Sequence, residues 1–302
     1  MTPSLSARFW RFWMKIAFRG SSLTVTELRA RDEKSARWRN RLPPGIACET
    51  IQVNQRPALW LRPAAKSPRV MLYLHGGGYV SGSPQSYQRF CAQVADRLQL
   101  PLLLPDYRLA PENPFPAALE DALAAYRWLL AQGWRAENIF LGGDSAGGGL
   151  ALAAALALRD SGEALPAALL CLSPWTDLTC GGETHQSKAR QEVLLSSATL
   201  REWGARYSGG ENPAHPLLSP LYADFHGLPP LLIQVGSEEI LLADSLRVTE
   251  KARSAGVPVT LRIWDGMWHV WPMLGALIPE SGLAFDEMKE FIRAQPPNRI
   301  TG

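Results

Sequence analysis

Ile139-Phe-Leu-Gly-Gly-Asp-Ser-Ala-Gly-Gly-Gly149 is the stretch from which the fold is read. Three apolar residues lead into a run of small ones, and an Ala/Leu-rich segment from Leu150 follows. The pattern is a short strand, an abrupt turn and a helix, with Ser145 at the apex. Gly143, Ser145 and Gly147 fill a G-x-S-x-G pattern, in which a strained strand-to-helix turn thrusts a serine hydroxyl outward. Glycines flank the serine because a Cβ there would collide with the neighbouring strand or helix. The helix N-terminus behind Ser145 also favours negative charge developing beside it. A bare G-x-S-x-G is weak evidence; the strand-turn-helix context gives this one weight.

The 302 residues, 46% hydrophobic and 20% charged, suffice for one large core, or one core with a small appendage. A net charge of +3, with no Lys/Arg block outside the N-terminal region, disfavours nucleic acid as a partner. Cys48, Cys91, Cys171 and Cys180 are dispersed and form no C-x-x-C. Their spacing argues against a zinc site or a disulfide scaffold and fits a reducing, cytoplasmic setting. The aromatic, basic segment 9–18 is broken by Arg11 and Lys15 and precedes no A-x-A-like cleavage site. It falls short of the ~20 apolar residues that span a bilayer. An amphipathic helix covering part of the protein is expected, and no stable membrane anchor.

A charged helical stretch is expected over 27–41, ended by Pro43-Pro44-Gly45. Two short strands are expected at 48–53 and 58–61. Beyond them apolar strands at 70–74, 100–104, 139–144, 167–172, 231–235 and 257–264 alternate with amphipathic helices at 84–98, from 116, to about 159, at 242–255 and at the C-terminus. Such alternation means an α/β fold with a mostly parallel central sheet and helices on both faces. Between 176 and 228 the rhythm lapses, and an excursion of that length near strand tips serves as a lid or binding element. Residues 1–45 and 177–227 are accordingly expected to form a helical cap, and 46–176 with 228–302 the catalytic domain.

His75-Gly76-Gly77-Gly78 directly follows the strand at 70–74, and its glycines let backbone N–H groups turn inward, as an oxyanion hole requires. A phosphate-binding loop would continue with Lys-Ser/Thr, where Tyr79-Val80 stand. His75 is expected to orient the loop. Of the other histidines, His185, His215 and His226 lie in the cap region and are expected at the surface. His269, just past the last strand, is the best-placed base for Ser145. The acid that orients it could be Glu238 or Glu239, at the end of the preceding strand. Asp244 is expected to serve the dipole of its helix instead, and Asp265 is too close in sequence to His269. Serine, acid, histidine is the chain order of an α/β-hydrolase.

At this point the chain resembles the bacterial hormone-sensitive-lipase-like (family IV) esterases of the GDSAG subgroup. The resemblance runs from about Val70 to Ile292. It is carried by His75-Gly-Gly-Gly-Tyr79, Asp106-Tyr-Arg-Leu-Ala-Pro-Glu112, Pro114-Phe-Pro-Ala-Ala118, Gly143-Asp-Ser-Ala-Gly147, Ser173-Pro-Trp-Thr-Asp-Leu178 and Gly266-Met-Trp-His-Val270. It implies Ser145 as nucleophile, His269 as base and an oxyanion hole from the amides of Gly77, Gly78 and Ala146. Where the family often has Asp-Pro-Leu the chain has Glu238-Glu-Ile-Leu-Leu, and similarity to G-S-E-E-x-L-L members favours Glu239 as the acid. Gln191-Glu192 replaces an Asp-Pro common in the cap of relatives. The implied activity is that of a carboxylesterase on short- to medium-chain acyl esters, without metal or organic cofactor. Its partner is a small-molecule ester, and a homodimer through the strand at 257–264 is in keeping with the resemblance. Phe9, Trp10, Phe12, Trp13 and Trp203 are expected to bound an apolar pocket. A deacetylase or lactonase acting on one metabolite, or a ligand-binding protein on the same scaffold, are the rival readings.

Overall fold

The computed structural model describes residues 2–18, 24–39 and 42–296. In chain order its elements are α1 (Leu5–Ala17), α2 (Val25–Arg39), β1 (Ile46–Val53), β2 (Arg56–Pro63), β3 (Val70–Leu74), α3 (Pro84–Leu98), β4 (Leu102–Pro105), α4 (Ala117–Ala131), β5 (Ile139–Asp144), α5 (Ala146–Asp160), β6 (Ala168–Leu172), α6 (Thr184–Ser187), α7 (Ser197–Ser208), β7 (Leu231–Gly236), α8 (Leu242–Ser254), β8 (Val259–Trp264) and α9 (Pro279–Ala294). The end of the expected charged helix, at 40–41, lies outside the described residues, as do residues 1, 19–23 and 297–302 of the expected cap and catalytic domain.

The eight strands form one sheet in the order β1-β2-β4-β3-β5-β6-β7-β8. From β4 to β8 all pairs are parallel, while β1 and β2 form an antiparallel hairpin that pairs antiparallel with β4. The hairpin strands are longer than the expected segments because only Asn54 and Gln55, both with positive φ, separate Val53 from its partner Arg56.

Strand residues alternate between two cores although the strands read as continuous apolar runs. Val70, Leu72, Leu74, Leu141 and Ile233 face α4, α5 and α8, meeting Leu119, Tyr126, Leu150 and Val248. Met71, Tyr73, Phe140 and Leu232 face α3 and α9, meeting Phe90, Val94, Phe285 and Met288. A third cluster joins Ala7 of α1 to Val193, Met267, Trp268, Trp271 and Ala284. Each fully buried aliphatic side chain in these layers contributes about 1.5–3 kcal/mol.

The elbow is the tightest point. A Cβ on Gly147 would stand 2.0 Å from the Leu74 carbonyl oxygen and 2.4 Å from that of His75, and one on Gly143 would stand 2.3 Å from the Gly147 carbonyl oxygen. Both neighbours are backbone and cannot yield. Gly282, inside α9, has ordinary helical backbone and open space at its Cβ position. Gly282→Ala should therefore raise stability by about 0.5–1 kcal/mol. Gly147→Ala should cost more than about 3 kcal/mol. Thermal melts of the two variants check both signs.

Candidate active site

Ser145 sits between β5 and α5 with φ 52° and ψ −121°, outside the regions a side chain favours. The strain is held by backbone hydrogen bonds: Ser145 N–H donates to Leu172 O at 2.9 Å, and Ser145 O accepts from Trp175 N and Gly149 N.

Asp144, immediately before it, is buried and accepts from Tyr73 Oη (3.0 Å), Tyr87 Oη (2.9 Å) and Gly76 N (3.1 Å). It thereby ties the elbow to the glycine loop that follows β3. Burial pushes its carboxyl up to about 6 against these hydrogen bonds. In the loop, Gly77 (φ 113°) and Gly78 (φ 64°) have backbone angles that side chains disfavour. Trp203 of α7 lies so close to Gly78 that a Cβ would stand 2.2 Å from its ring. Among the described hydrogen bonds the N–H groups of Gly77 and Gly78 have no acceptor. Ala146 N belongs to the first turn of α5, where no intrahelical acceptor exists.

His75 is buried, stacks on Tyr107 at a centroid distance of 4.2 Å, and its Nδ1 donates to Gly76 O at 2.7 Å. Tyr107 Oη donates to His75 O at 2.6 Å. Burial lowers the imidazole to about 4, which keeps it neutral. His75 is held in the loop by these contacts.

The acid–histidine pair comes from two loops beyond β7 and β8. His269 Nδ1 meets Glu239 Oε2 at 2.7 Å, and both residues are buried. Glu239 Oε1 accepts from Ser173 Oγ (2.8 Å) and Gly236 N (2.6 Å), and Ser173 Oγ accepts from Val270 N (3.2 Å). Glu238 points the other way, to Arg11 at 2.8 Å and Lys188 at 3.5 Å. Of the two glutamates, the structure brings Glu239 to His269. Among the described residues no hydrogen bond joins Ser145 Oγ to His269 Nε2, and neither atom is sealed from solvent.

Several positions differ from the expectations. His185 is buried, not a surface residue: its Nδ1 meets Ser197 Oγ at 3.1 Å and its Nε2 lies 4.0 Å from Asp244 Oδ1. The cause is the packing of α6 beneath α8. Asp244 is likewise buried, and its Oδ2 accepts from the N–H groups of Thr176 and Asp177 at 2.8 and 2.9 Å instead of capping its own helix. Burial pushes it up to about 7. Phe9, Phe12 and Trp13 are turned to solvent by α1 and are more than half exposed. His226 is exposed and His215 partly so.

Asp144, Ser173 and Glu192 are site residues that sequence reasoning did not assign. The first two stand inside motifs already quoted; Glu192 was visible only as a departure from relatives. Glu192 is buried, with Oε1 accepting from Val193 N (2.8 Å) and Leu194 N (2.9 Å) and Oε2 from Ile240 N (3.1 Å). It thus joins segment 192–194 to the residue after Glu239.

The fold and this grouping of strained serine, glycine loop and buried acid–histidine pair at the strand ends define an α/β-hydrolase. Residues 71–273 match the family model of the alpha/beta hydrolase fold, and the chain belongs to that family. Within it the chain is one of the hormone-sensitive-lipase-like esterases. An acetyl-hydrolase of Streptomyces hygroscopicus is 48% identical over 252 residues, 83% of each chain. An esterase of Acinetobacter venetianus is 37% identical over 232 residues, 76% of this chain and 77% of its own. The crystal structure of an esterase from the bacterial hormone-sensitive lipase family matches with a TM-score of 0.92 and 43% identity, covering 98% of this chain and 99% of that one.

Burial alone would lower the His269 pKa, but the hydrogen bond and charge of Glu239, with the charges of Glu192 and Asp144, raise it above the ordinary 6.5. The general-base role proposed for His269 needs a neutral imidazole, so kcat/KM should fall as pH drops through a midpoint above 6.5. Glu192→Gln removes one of the negative charges and leaves an amide NH2 facing backbone N–H groups. The variant should lower kcat by about tenfold and move that acid limb to lower pH. Steady-state pH profiles of the two proteins check both effects.

Proposed function

We propose that the chain is a carboxylesterase that hydrolyses short- to medium-chain acyl esters through a serine acyl-enzyme. One observation carries the reading: a buried Glu239–His269 pair at 2.7 Å, with the strained Ser145 at the elbow of the same strand ends. Glu239 holds the proton on His269 Nδ1, so Nε2 is the basic nitrogen. It takes the Ser145 hydroxyl proton as Oγ attacks the ester carbonyl carbon. The oxyanion is met by the N–H groups of Gly77, Gly78 and Ala146, which need no side-chain reorganisation. The protonated Nε2 then delivers its proton to the leaving alkoxide. Water attacks the acyl-enzyme by the same route in reverse, releasing the acid and restoring Ser145. No metal or organic cofactor enters these steps.

Trp203 against Gly78 supports a bounded acyl pocket, and the name of the Streptomyces relative, acetyl-hydrolase, supports small acyl groups. That name also favours a second reading, deacetylation of one acetylated metabolite by the same residues. A panel of acetylated sugars assayed beside p-nitrophenyl esters separates the two. Residues 1–45 and 177–227 act in this proposal as the cap, and a homodimer pairs through β8, an edge strand with Ile263 exposed. The four cysteines are unpaired thiols, which supports a reducing, cytoplasmic setting.

Ser145→Ala should lower kcat by about 10⁴-fold or more, and Glu239→Gln by about 10²–10⁴-fold. Glu238→Gln should remain within about twofold, because its carboxylate serves surface cations. Activity against p-nitrophenyl esters should peak below about ten carbons, each further methylene meeting the pocket wall. Equal losses in the two glutamate variants would remove Glu239 from its assigned role.

A further inference from the structure

Helix α1 buries one stripe and exposes another. Ala7, Trp10 and Met14 pack on Val193, Met267, Trp268 and Trp271. The helix is pinned by Ser4 N to Glu280 (2.6 Å), Arg11 to Glu238 (2.8 Å) and Lys15 Nζ to Arg190 O (2.8 Å). Its position is therefore fixed, and the side chains left outside are left there by the fold. Leu5, Phe9, Phe12, Trp13 and Ile16 are 81, 54, 64, 54 and 57% exposed. Their spacing places all five on one face of the helix, within about a third of its circumference. Scattered apolar residues on a surface need no explanation, but five large ones in a continuous stripe do.

The border of that stripe is cationic. Arg8 and Lys15 are exposed on α1, Arg190 is exposed where Lys15 reaches its carbonyl, and Arg11 and Lys188 share the single carboxylate of Glu238. Residues 5–17 contain no Asp or Glu. This charge pattern selects among occupants. In a two-fold pairing of the stripe with a second copy, Arg8 and Lys15 would face the same residues of the partner, with no acid on either helix to meet them. An anionic lipid surface supplies apolar chains and phosphates in the matching order. At 13 residues, α1 is about 20 Å long and cannot cross a bilayer. No helix among the described residues is long and apolar enough to do so.

We propose that the chain docks peripherally on anionic phospholipid through α1. The helix lies in the plane of the interface, with Leu5, Phe9, Phe12, Trp13 and Ile16 among the upper acyl carbons and Arg8 and Lys15 at the phosphates. Because α1 packs on Met267 and Trp268, docking holds the His269 loop beside the surface from which sparingly soluble esters would arrive.

Co-sedimentation of the full chain with vesicles tests the proposal, using phosphatidylcholine alone and phosphatidylcholine with about 30% phosphatidylglycerol. The chain should bind the anionic vesicles and be released at about 0.5 M salt. Phe12→Ser/Trp13→Ser/Ile16→Ser should bind at least about tenfold more weakly, and Arg8→Gln/Lys15→Gln should lose the preference for anionic vesicles. Both variants should keep the circular-dichroism spectrum and melting midpoint of the unaltered chain, which shows that they fold. Ser145→Ala should bind vesicles as the unaltered chain does, so binding and hydrolysis are judged separately. Absence of vesicle binding would overturn the proposal, as would a triple variant that binds undiminished. A dimer that the triple substitution converts to monomer, without vesicle binding, would assign the stripe to a second copy and overturn it equally.

Discussion

The close approach of α5 to the end of β3 is the constraint from which the site follows. Gly147 lies against the carbonyl groups of Leu74 and His75 with no room for a methyl group. The chain can turn from β5 into α5 at that distance only by forcing Ser145 to positive φ. The same contact sets the glycine loop beside the serine, because the loop begins where β3 ends. Asp144 completes the arrangement by accepting from Gly76 N across the gap. The proposed nucleophile and oxyanion loop are thus brought together by one packing contact.

Around His269 the governing quantity is buried charge. Glu239, Glu192 and Asp144 all lie beneath the surface, and an unpaired carboxylate there would be costly. Each is met by donors: Glu239 by Ser173, Gly236 and His269, Glu192 by three backbone N–H groups, and Asp144 by two tyrosines and Gly76. These acids favour the charged form of His269 and so raise the pH at which its imidazole becomes neutral, as the proposed base must be. Glu192 adds a mechanical link, since it fastens residues 192–194 to the turn that carries Glu239.

Local signals made β3 and α3 legible to the residue. The strand at 70–74 is bounded by its flanking loops, and Pro84, preceded by the Ser83 cap, starts the helix. The elbow was legible for the same reason, as it is a local steric event. The family resemblance pointed to Glu239 over Glu238, and the packing shows why the two differ: Arg11 from a distant helix draws Glu238 outward. The burial of His185 and Asp244 is not legible in the sequence, because it depends on α6 meeting α8, a contact that no local pattern records. Periodicity reveals the apolar stripe of α1 without saying what faces it, and the fold leaves that stripe exposed.

The central claim is that one serine at this elbow forms the acyl bond while the loop amides hold the oxyanion. A crystal structure of the chain after reaction with a p-nitrophenyl alkylphosphonate tests it most directly. The account requires phosphorus bonded to Ser145 Oγ, with its phosphoryl oxygen within hydrogen-bond distance of the N–H groups of Gly77, Gly78 and Ala146, about 2.7–3.1 Å. Phosphorus on another residue, or a phosphoryl oxygen directed away from those amides, would contradict it.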